Sequence, residues 1–397
     1  MESVKGESRL LVGVVGGKLQ GVEAAYLAHK AGWDVRVVDK APRVPASELG
    51  DSFVQADLTV GSDLDRALGD VDLVIPALED DKALISLTRW SRKAGVPLAF
   101  DPRAYAVSSS KLKSAVFFKR IGIPVPAAYP NCGFPVVAKP GLGSGSKGVG
   151  IFQDLDSIQN RFSPEFPPSD WILEEFIDGS QHSQEVIGRP GSYRLFPVTD
   201  LYVDHNFDCK RVIAPSNLPR NLTADFEKLS LTIAEAINLH GIMDVEVIFS
   251  RGEFKVLEID VRLPSQTPTA VYWSTRQNMV GLLGDLYITP KNDFPPAGDN
   301  LRGTVYEHIH VSGDELMISG ERIMTQGGPL NVQANFFGAD EAITNFVPGK
   351  DQWVATLIFA GTNRPQAWEK RNRSIAKITR RLGIKEVVDP KPITRSS

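Results

Sequence analysis

The stretch 241–269, GIMDVEVIFSRGEFKVLEIDVRLPSQTPT, constrains the chain more than any other. In Asp244-Val-Glu-Val-Ile-Phe249 acids alternate with apolar residues. At the period of two of a strand, Asp244 and Glu246 therefore leave one face while Val245 and Val247 enter the core. Ser250-Arg-Gly-Glu253 supplies a turn. The return strand, 254–262, carries apolar Val256, Leu257 and Ile259, and its Glu258, Asp260 and Arg262 share the opposite face. Four carboxylates and one guanidinium are thus expected on one patch, followed by a hydroxyl-rich turn at 265–269. Gathered carboxylates repel unless something positive sits among them. Hard oxygen ligands on rigid strands suit Mg²⁺, which keeps waters and bridges to substrate phosphates. A solvated sheet face crossed by ion pairs is the alternative this segment leaves open.

The 397 residues suffice for two or three domains with a substantial core, and 42% hydrophobic content is that of an ordinary globular protein. A net charge of -4 with scattered Lys and Arg offers no electrostatic case for nucleic acid or an anionic membrane. Cys132 and Cys209 are far apart, which fits a reducing cytoplasm and excludes a disulfide framework or a cysteine zinc site. No signal sequence is expected in 1–9, and the apolar run 10–15 is far short of the roughly 20 residues that span a bilayer.

Residues 10–15 read as a buried strand, Gly16-Gly-Lys-Leu-Gln-Gly21 as a glycine-rich turn, 22–31 as a helix and 33–38 as the next strand, closing on Asp39. Many doubly wound domains open this way. Asp39 either binds the ribose of a nicotinamide cofactor, which would make the chain an oxidoreductase, or ends a strand. Strands at 52–56, 73–77 and 97–100 alternate with helices at 62–67 and 80–93, predicting a parallel sheet with ligands at the strand carboxyl ends. Lys18, Gln20 and Glu79 sit there and together can hold a small polar molecule.

The pattern changes at Ser108. Ser108-Ser-Ser-Lys111 caps a helix running to Arg120, which Gly122-Ile-Pro124-Val-Pro126 stops. The strand 135–140 ends in Lys139-Pro140 and meets Gly141-Leu-Gly-Ser-Gly-Ser-Lys-Gly148, before a strand at 149–152. No helix follows, so this loop is a hairpin tip whose N–H groups and hydroxyls can close over phosphate oxygens. The strand 171–177 passes through Asp178-Gly179 into 183–188, a hinge able to offer backbone to an adenine edge. A strand pair at 193–212 has Asp204, His205, Asp208 and Lys210 in its turn, and 222–239 is an amphipathic helix. Further on, 278–287 reads as helix, 303–311 and 353–359 as strands, 366–382 as a basic helix, and the last dozen residues as frayed.

Lys111 before a Gly-Ile-Pro stop, Lys139 before the glycine–serine loop, Glu174-Glu175, and Glu258-Ile-Asp-Val-Arg262 together resemble the ATP-grasp carboxylate–amine ligases in order and spacing, over about residues 108–270. The resemblance implies an α/β ATP-grasp fold. Its parts would be an N-terminal doubly wound parallel-sheet domain (1–107), a small α+β lid domain (108–183), and a larger antiparallel-sheet α+β domain (184–397) with the metal site. It implies ATP and two Mg²⁺ ions, with Mn²⁺ as an alternative. ATP would be bound by Lys18, Lys111, Lys139, Ser144, Gly145 and Ser146, with Glu174, Glu175, Phe176 and Ile177 at the adenine. Glu246, Glu258 and Asp260 would take the metal, and Arg262 and Lys139 would be the catalytic cations. Many members carry a ribose-binding acid two residues past the hinge glycine. Here that position is Gln181, which leaves Glu185 as the ribose candidate.

Gly16-Gly-Lys-Leu-Gln-Gly21 with Glu23-Ala-Ala-Tyr-Leu27, Gly241-Ile-Met-Asp-Val-Glu246, Pro264-Ser-Gln-Thr-Pro-Thr269 with Val271-Tyr272, and Tyr306-Glu-His308 are similar to one branch of that superfamily. This is the pyrrolysine-biosynthesis ligase family that joins 3-methyl-D-ornithine to L-lysine, and the likeness runs nearly the whole chain. It implies lysine against Leu19, Gln20 and Glu79, and 3-methyl-D-ornithine, or D-ornithine, near Asp244, Ser265, Gln266, Thr267, Pro268 and Thr269. ATP would phosphorylate the ornithine carboxylate, and the side-chain amine of lysine would attack the acyl phosphate. A D-amino-acid or purine-pathway ligase of the same superfamily is the alternative, and a homodimer is compatible with either.

Overall fold

The apolar run Leu11–Val15 becomes β1, buried on both sides at the centre of a parallel sheet, as a strand covered by helices on both faces must be. This computed structural model describes residues 9–143, 145–163, 166–289, 294 and 301–391. Around β1 come α1 (Leu19–Lys30), β2 (Asp34–Asp39), β3 (Ser52–Gln55), α2 (Gly61–Leu68), β4 (Leu73–Pro76) and α3 (Asp81–Ala94), in strand order β3-β2-β1-β4. The strand expected at 97–100 shrinks to one parallel bridge between Val74 and Leu98. Pro97 has no N–H to extend a ladder, and Asp101 at once caps α4 (Pro102–Ser108), accepting from the N–H groups of Arg103 and Ala104.

Ser110 then caps α5 (Lys111–Ile121) by accepting from Lys113 N–H, and Gly122 ends it in the left-handed conformation. A second, antiparallel sheet has order β6-β5-β7, from β5 (Val136–Pro140), β6 (Gly150–Phe152) and β7 (Trp171–Glu175). Its helix, α6 (Leu155–Phe162), seats Ile158 and Phe162 on Val136, Ala138 and Leu173.

The third sheet has twelve strands. In chain order its elements are β8 (Ser180–Arg189), β9 (Ser192–Leu195), β10 (Thr199–Val203), β11 (Cys209–Ala214), α7 (Arg220–Ile237), β12 (Gly241–Ser250), β13 (Glu253–Asp260), α8 (Thr267–Thr275), α9 (Met279–Ile288), β14 (Gly303–Ser312), β15 (Glu315–Ile318), β16 (Asn331–Ala334), β17 (Glu341–Thr344), β18 (Gln352–Gly361), α10 (Arg364–Leu382) and β19 (Glu386–Val388). The main path runs β13-β12-β8-β10-β11-β14-β18-β17-β16, with β9, β15 and β19 as side branches. The end of the chain is therefore not all frayed: β19 pairs in parallel with β15, and residues 392–397 lie outside the described residues.

One face of this sheet takes α7, whose Phe226, Ile233 and Ala234 pack on Val245, Val247, Val256 and Ile259. Burying each such large apolar side chain contributes about 1.5–3 kcal/mol. At the junction with the first sheet, α8 and α9 join α1 in a shared core, where the ring of Trp33 fills the space a Cβ would need at Gly284. No helix among the described residues is long and apolar enough to cross a membrane.

Candidate active site

The hairpin β12–β13 turns through Arg251 and Gly252, both at positive φ, and pairs Asp244 with Asp260 and Glu246 with Glu258. An irregularity after Glu246 brings Val247 opposite Val256, so the valines stay in the core while the acids face out. Beside them lies a cleft of two adjoining lobes of about 230 and 750 Å³. The wall common to both lobes carries Lys111, Lys139, Glu258, Asp260 and Arg262.

Those charges are paired. Lys111 Nζ lies 3.0 Å from Glu258 Oε2 and donates to the carbonyl of Gly143 at 2.9 Å, tying α5 to the glycine loop. Lys139 Nζ stands 2.6 Å from Glu174 Oε1 and donates to Leu257 O at 3.4 Å. Arg262 reaches both Asp260, at 2.9 Å, and Glu79, at 2.6 Å, while Gln20 Nε2 donates to Glu79 at 3.0 Å. Gln20, Glu79, Arg262 and Asp260 thus form one chain of contacts from the first sheet to the acidic hairpin.

Burial drives the acids upward. It raises Asp260 to about 6 against the pull of Arg262, raises Glu246 well above the carboxylate range with Glu258 adding to it, and raises Asp244 with Glu185 adding to it. Glu258 alone of this group ends low, because burial is outweighed by Lys111, with Lys139 and Arg262 acting in the same sense. The cluster therefore carries less positive charge than its carboxylates call for.

That deficit is the test of a divalent ion. Among the described residues no group of three or more His, Cys, Asp or Glu encloses a metal by itself. Mg²⁺ does not need such a cage, since one or two carboxylates, waters and substrate phosphates complete its shell. Glu246 and Glu258, opposite each other across the hairpin, fit that donor set, and the Glu246 carboxylate has no hydrogen bond or ion pair among the described residues.

The remaining expected residues divide. Gly145, Ser146, Glu174, Glu175, Phe176 and Ile177 line the smaller lobe, and Ser146 donates to Phe207 O at 2.9 Å, laying the glycine loop against the turn between β10 and β11. Ser144 lies outside the described residues. The Glu175 carboxylate is occupied by Lys255 and by Ala127 N–H, so its side chain serves the hinge itself. Ser265, Gln266 and Thr267 line the same lobe, whereas Pro268 and Thr269 are buried within α8. Lys18 is exposed at the head of α1, Leu19 packs on the core, and neither borders the cleft.

Two expectations are corrected. Glu185 lines neither lobe of the cleft: it leaves β8 by the same face as Ser183, beside Asp244 of β12, but is fully buried there. Asp39 is not presented to a ribose: it accepts from Gly17 N–H and Ala41 N–H, both at 2.8 Å, and a Cβ on Gly17 would collide with Val44. The turn is packed shut by its own side chains, which removes the nicotinamide alternative.

Glu321 belongs to the site, and no sequence pattern marks it. It lines the smaller lobe and accepts from Ser265 Oγ at 2.7 Å and Gln266 Nε2 at 2.8 Å. It sits in a short 3₁₀ turn after Gly320, a place no periodicity marks. Asp208, raised to about 6 by burial and then by Glu321, joins it there, and the acid-rich turn at 204–210 was the signal for it.

Comparison with known proteins agrees with this geometry. The ATP-grasp domain family model matches residues 108–266. The chain is 33% identical to 3-methyl-D-ornithine–L-lysine ligase of Methanosarcina mazei over 95% of this chain and 98% of that one, and 32% identical to its counterpart in Methanosarcina barkeri over 93% and 98%. Among solved structures, N5-carboxyaminoimidazole ribonucleotide synthetase bound to ADP superposes with a TM-score of 0.69 at 18% identity, covering 94% of this chain and 98% of that one. The biotin carboxylase domain of Hydrogenobacter thermophilus 2-oxoglutarate carboxylase, with MgADP and bicarbonate, gives 0.68 at 14% identity over 93% and 90%. At such identities the likeness is one of fold.

Proposed function

The chain belongs to the 3-methyl-D-ornithine–L-lysine ligases, a family within the ATP-grasp enzymes, and on that premise we propose how it joins the two amino acids. The carboxylate of 3-methyl-D-ornithine attacks the γ-phosphorus of ATP, ADP leaves, and the side-chain amine of L-lysine displaces phosphate from the acyl phosphate to form the amide. The observation that carries this is the shared wall of the cleft, where Lys111, Lys139 and Arg262 meet Glu258 and Asp260 between the two lobes.

Phosphoryl transfer needs placement and charge neutralisation more than a covalent nucleophile. Lys111 and Lys139 would exchange their carboxylate partners for phosphate oxygens, and Arg262 would stand beside the transferring group. Glu246, Glu258 and Asp260 would hold Mg²⁺, which, when bound, neutralises charge on the β- and γ-phosphates. Asp244 would receive a substrate ammonium, with Ser265 and Thr267 hydrogen-bonding to the same molecule. Gln20 and Glu79, reaching the cleft through Arg262, would meet lysine. The loop 141–148 would exclude water from the acyl phosphate. This reading keeps the division 1–107, 108–183 and 184–397, the middle part being the lid, and a cytoplasmic location, which the two free cysteines support.

The test is ADP release by the purified chain with Mg²⁺ and ATP. Release is expected with 3-methyl-D-ornithine and lysine together, and a product of their summed mass less water should appear by mass spectrometry. Release that lysine does not affect, with no such product, would refute the reading.

A further inference from the structure

β10 and β11 meet out of register: Tyr202 lies opposite Arg211 and Val203 opposite Cys209, which leaves Lys210 as the extra residue of a bulge. A bulge re-aims side chains that a regular strand would send to opposite faces. Lys210 and Arg211, both buried, turn to one carboxylate, that of Asp389, at 2.5 and 2.9 Å. The carbonyl of Pro390 accepts from Lys210 as well. Arg211 has another partner in the buried Glu307, which Arg371 of α10 shares, and the Trp368 ring centroid lies 5.0 and 5.2 Å from the two guanidinium carbons. For Lys210, Asp389 is the only acid among the described residues. The segment that brings it, β19, pairs with β15 over three residues and leaves Val387 47% exposed, so apolar burial does little to place it.

The turn before Lys210 borders the smaller lobe with Phe207, Asp208 and Cys209. Its shape is set locally, by Asp204 accepting from the N–H groups of Asn206 and Asp208 and by Phe207 at positive φ. Its place is not. A cavity of about 620 Å³ lined by Phe207, Lys210, Arg211, Asp389 and Lys391 adjoins it, so packed side chains do not back it on that side. Lys111 holds the glycine loop by Gly143 O, and farther along the loop Ser146 donates to Phe207 O. We propose that Asp389 is a positioning residue for the nucleotide: by holding Lys210 and Arg211 it fixes the turn 204–208 as the catch on which the glycine loop closes. This deepens the ligase reading and rests on its placing ATP in the smaller lobe. A buried ammonium that loses its only carboxylate moves toward water, and Phe207, three residues away in the chain, moves with it. The loop then closes on a turn that holds more than one position, and closure costs the entropy of ordering it.

The readout is the Kd of a non-hydrolysable ATP analogue with Mg²⁺, by calorimetry on the full chain, beside KM values for ATP and both amino acids. Asp389→Asn keeps shape and removes charge. Lys210→Met cuts the same tie without leaving an unpaired ammonium, and so decides the matter if the first variant fails to fold. In either, Kd for the analogue and KM for ATP should rise roughly tenfold, as for loss of one hydrogen bond to a charged group. KM for lysine and for 3-methyl-D-ornithine should change little, and Asp389→Glu should recover most of the affinity. Ser146→Ala removes the loop's half of the catch, so its effect combined with that of either variant should fall well short of the product of the two. A merely structural role would lower thermal stability without singling out ATP or coupling to Ser146. Folded Asp389→Asn and Lys210→Met variants with unchanged analogue affinity, or effects that multiply in full with Ser146→Ala, would overturn this inference alone. Wild-type enzyme that binds the analogue but forms no amide would overturn the ligase reading alone, and wild-type enzyme that does not bind it would overturn both.

Discussion

Glu258 stands where three demands cross: it faces Glu246 over the hairpin, lies 3.0 Å from Lys111, and borders both lobes of the cleft. Its carboxyl is kept ionised by Lys111, Lys139 and Arg262 in spite of burial, so it is the acid of the group best able to meet a cation at neutral pH. Glu258→Gln removes that charge without changing volume and leaves Lys111 without its ion pair. Turnover should drop about a hundredfold or more, as when one electrostatic stabiliser of a transition state is deleted. Circular dichroism should show the fold retained, and a variant with near-normal kcat would refute the role given to Glu258.

A buried carboxyl of α1 ties that helix to α8. Glu23, 1% exposed, accepts from Thr269 N–H at 2.6 Å and so holds the first turn of α8 against the first sheet. Burial raises it to about 7, with its hydrogen bonds to Thr269 only partly opposing. The folded state thus holds this proton more tightly than the unfolded chain, whose value is 4.5. Its contribution is full below about pH 4.5 and is lost as pH climbs toward 7, to the extent of roughly 3 kcal/mol. Glu23→Gln keeps the acceptor and never ionises. Urea unfolding at about pH 5 and about pH 8 should show the variant gaining on the wild type at the higher pH. An equal difference at both values would contradict the account. Element identity was legible wherever a pattern was repeated. The alternation of 244–249, the triple serine before Lys111 and the glycine loop after Lys139 all formed as their spacing indicates. What escaped were short pieces set by tertiary pairing: the four-residue strands β15, β16 and β17, three-residue β19, and α8, whose low amphipathicity reflects burial on nearly every side. The start of α4 carries a local signal all the same, Asp101 as cap and Pro102 at its first position.

At the scale of the molecule, residues from three sheets converge on one cleft: Glu79, backed by Gln20, with the first, Lys139 and Glu174 on the second, and Asp244, Glu246, Glu258 and Asp260 on the third. The acids were readable in the sequence because a hairpin keeps them close along the chain. Glu321 was not, because Ser265 and Gln266 reach it across more than fifty residues of intervening fold. The misplacement of Glu185 has a like cause, since the alternation of β8 gives the face a residue leaves by but not how deeply the rest of the fold buries it. The account's central claim is that one specific carboxylate is activated by ATP. The direct measurement is the fate of oxygen-18 placed in the carboxylate of 3-methyl-D-ornithine, followed by mass spectrometry of the phosphate released in the presence of unlabelled lysine. The account predicts a single labelled oxygen in each phosphate formed and none when lysine carries the label. Unlabelled phosphate from labelled ornithine, or labelled phosphate from labelled lysine, would contradict it.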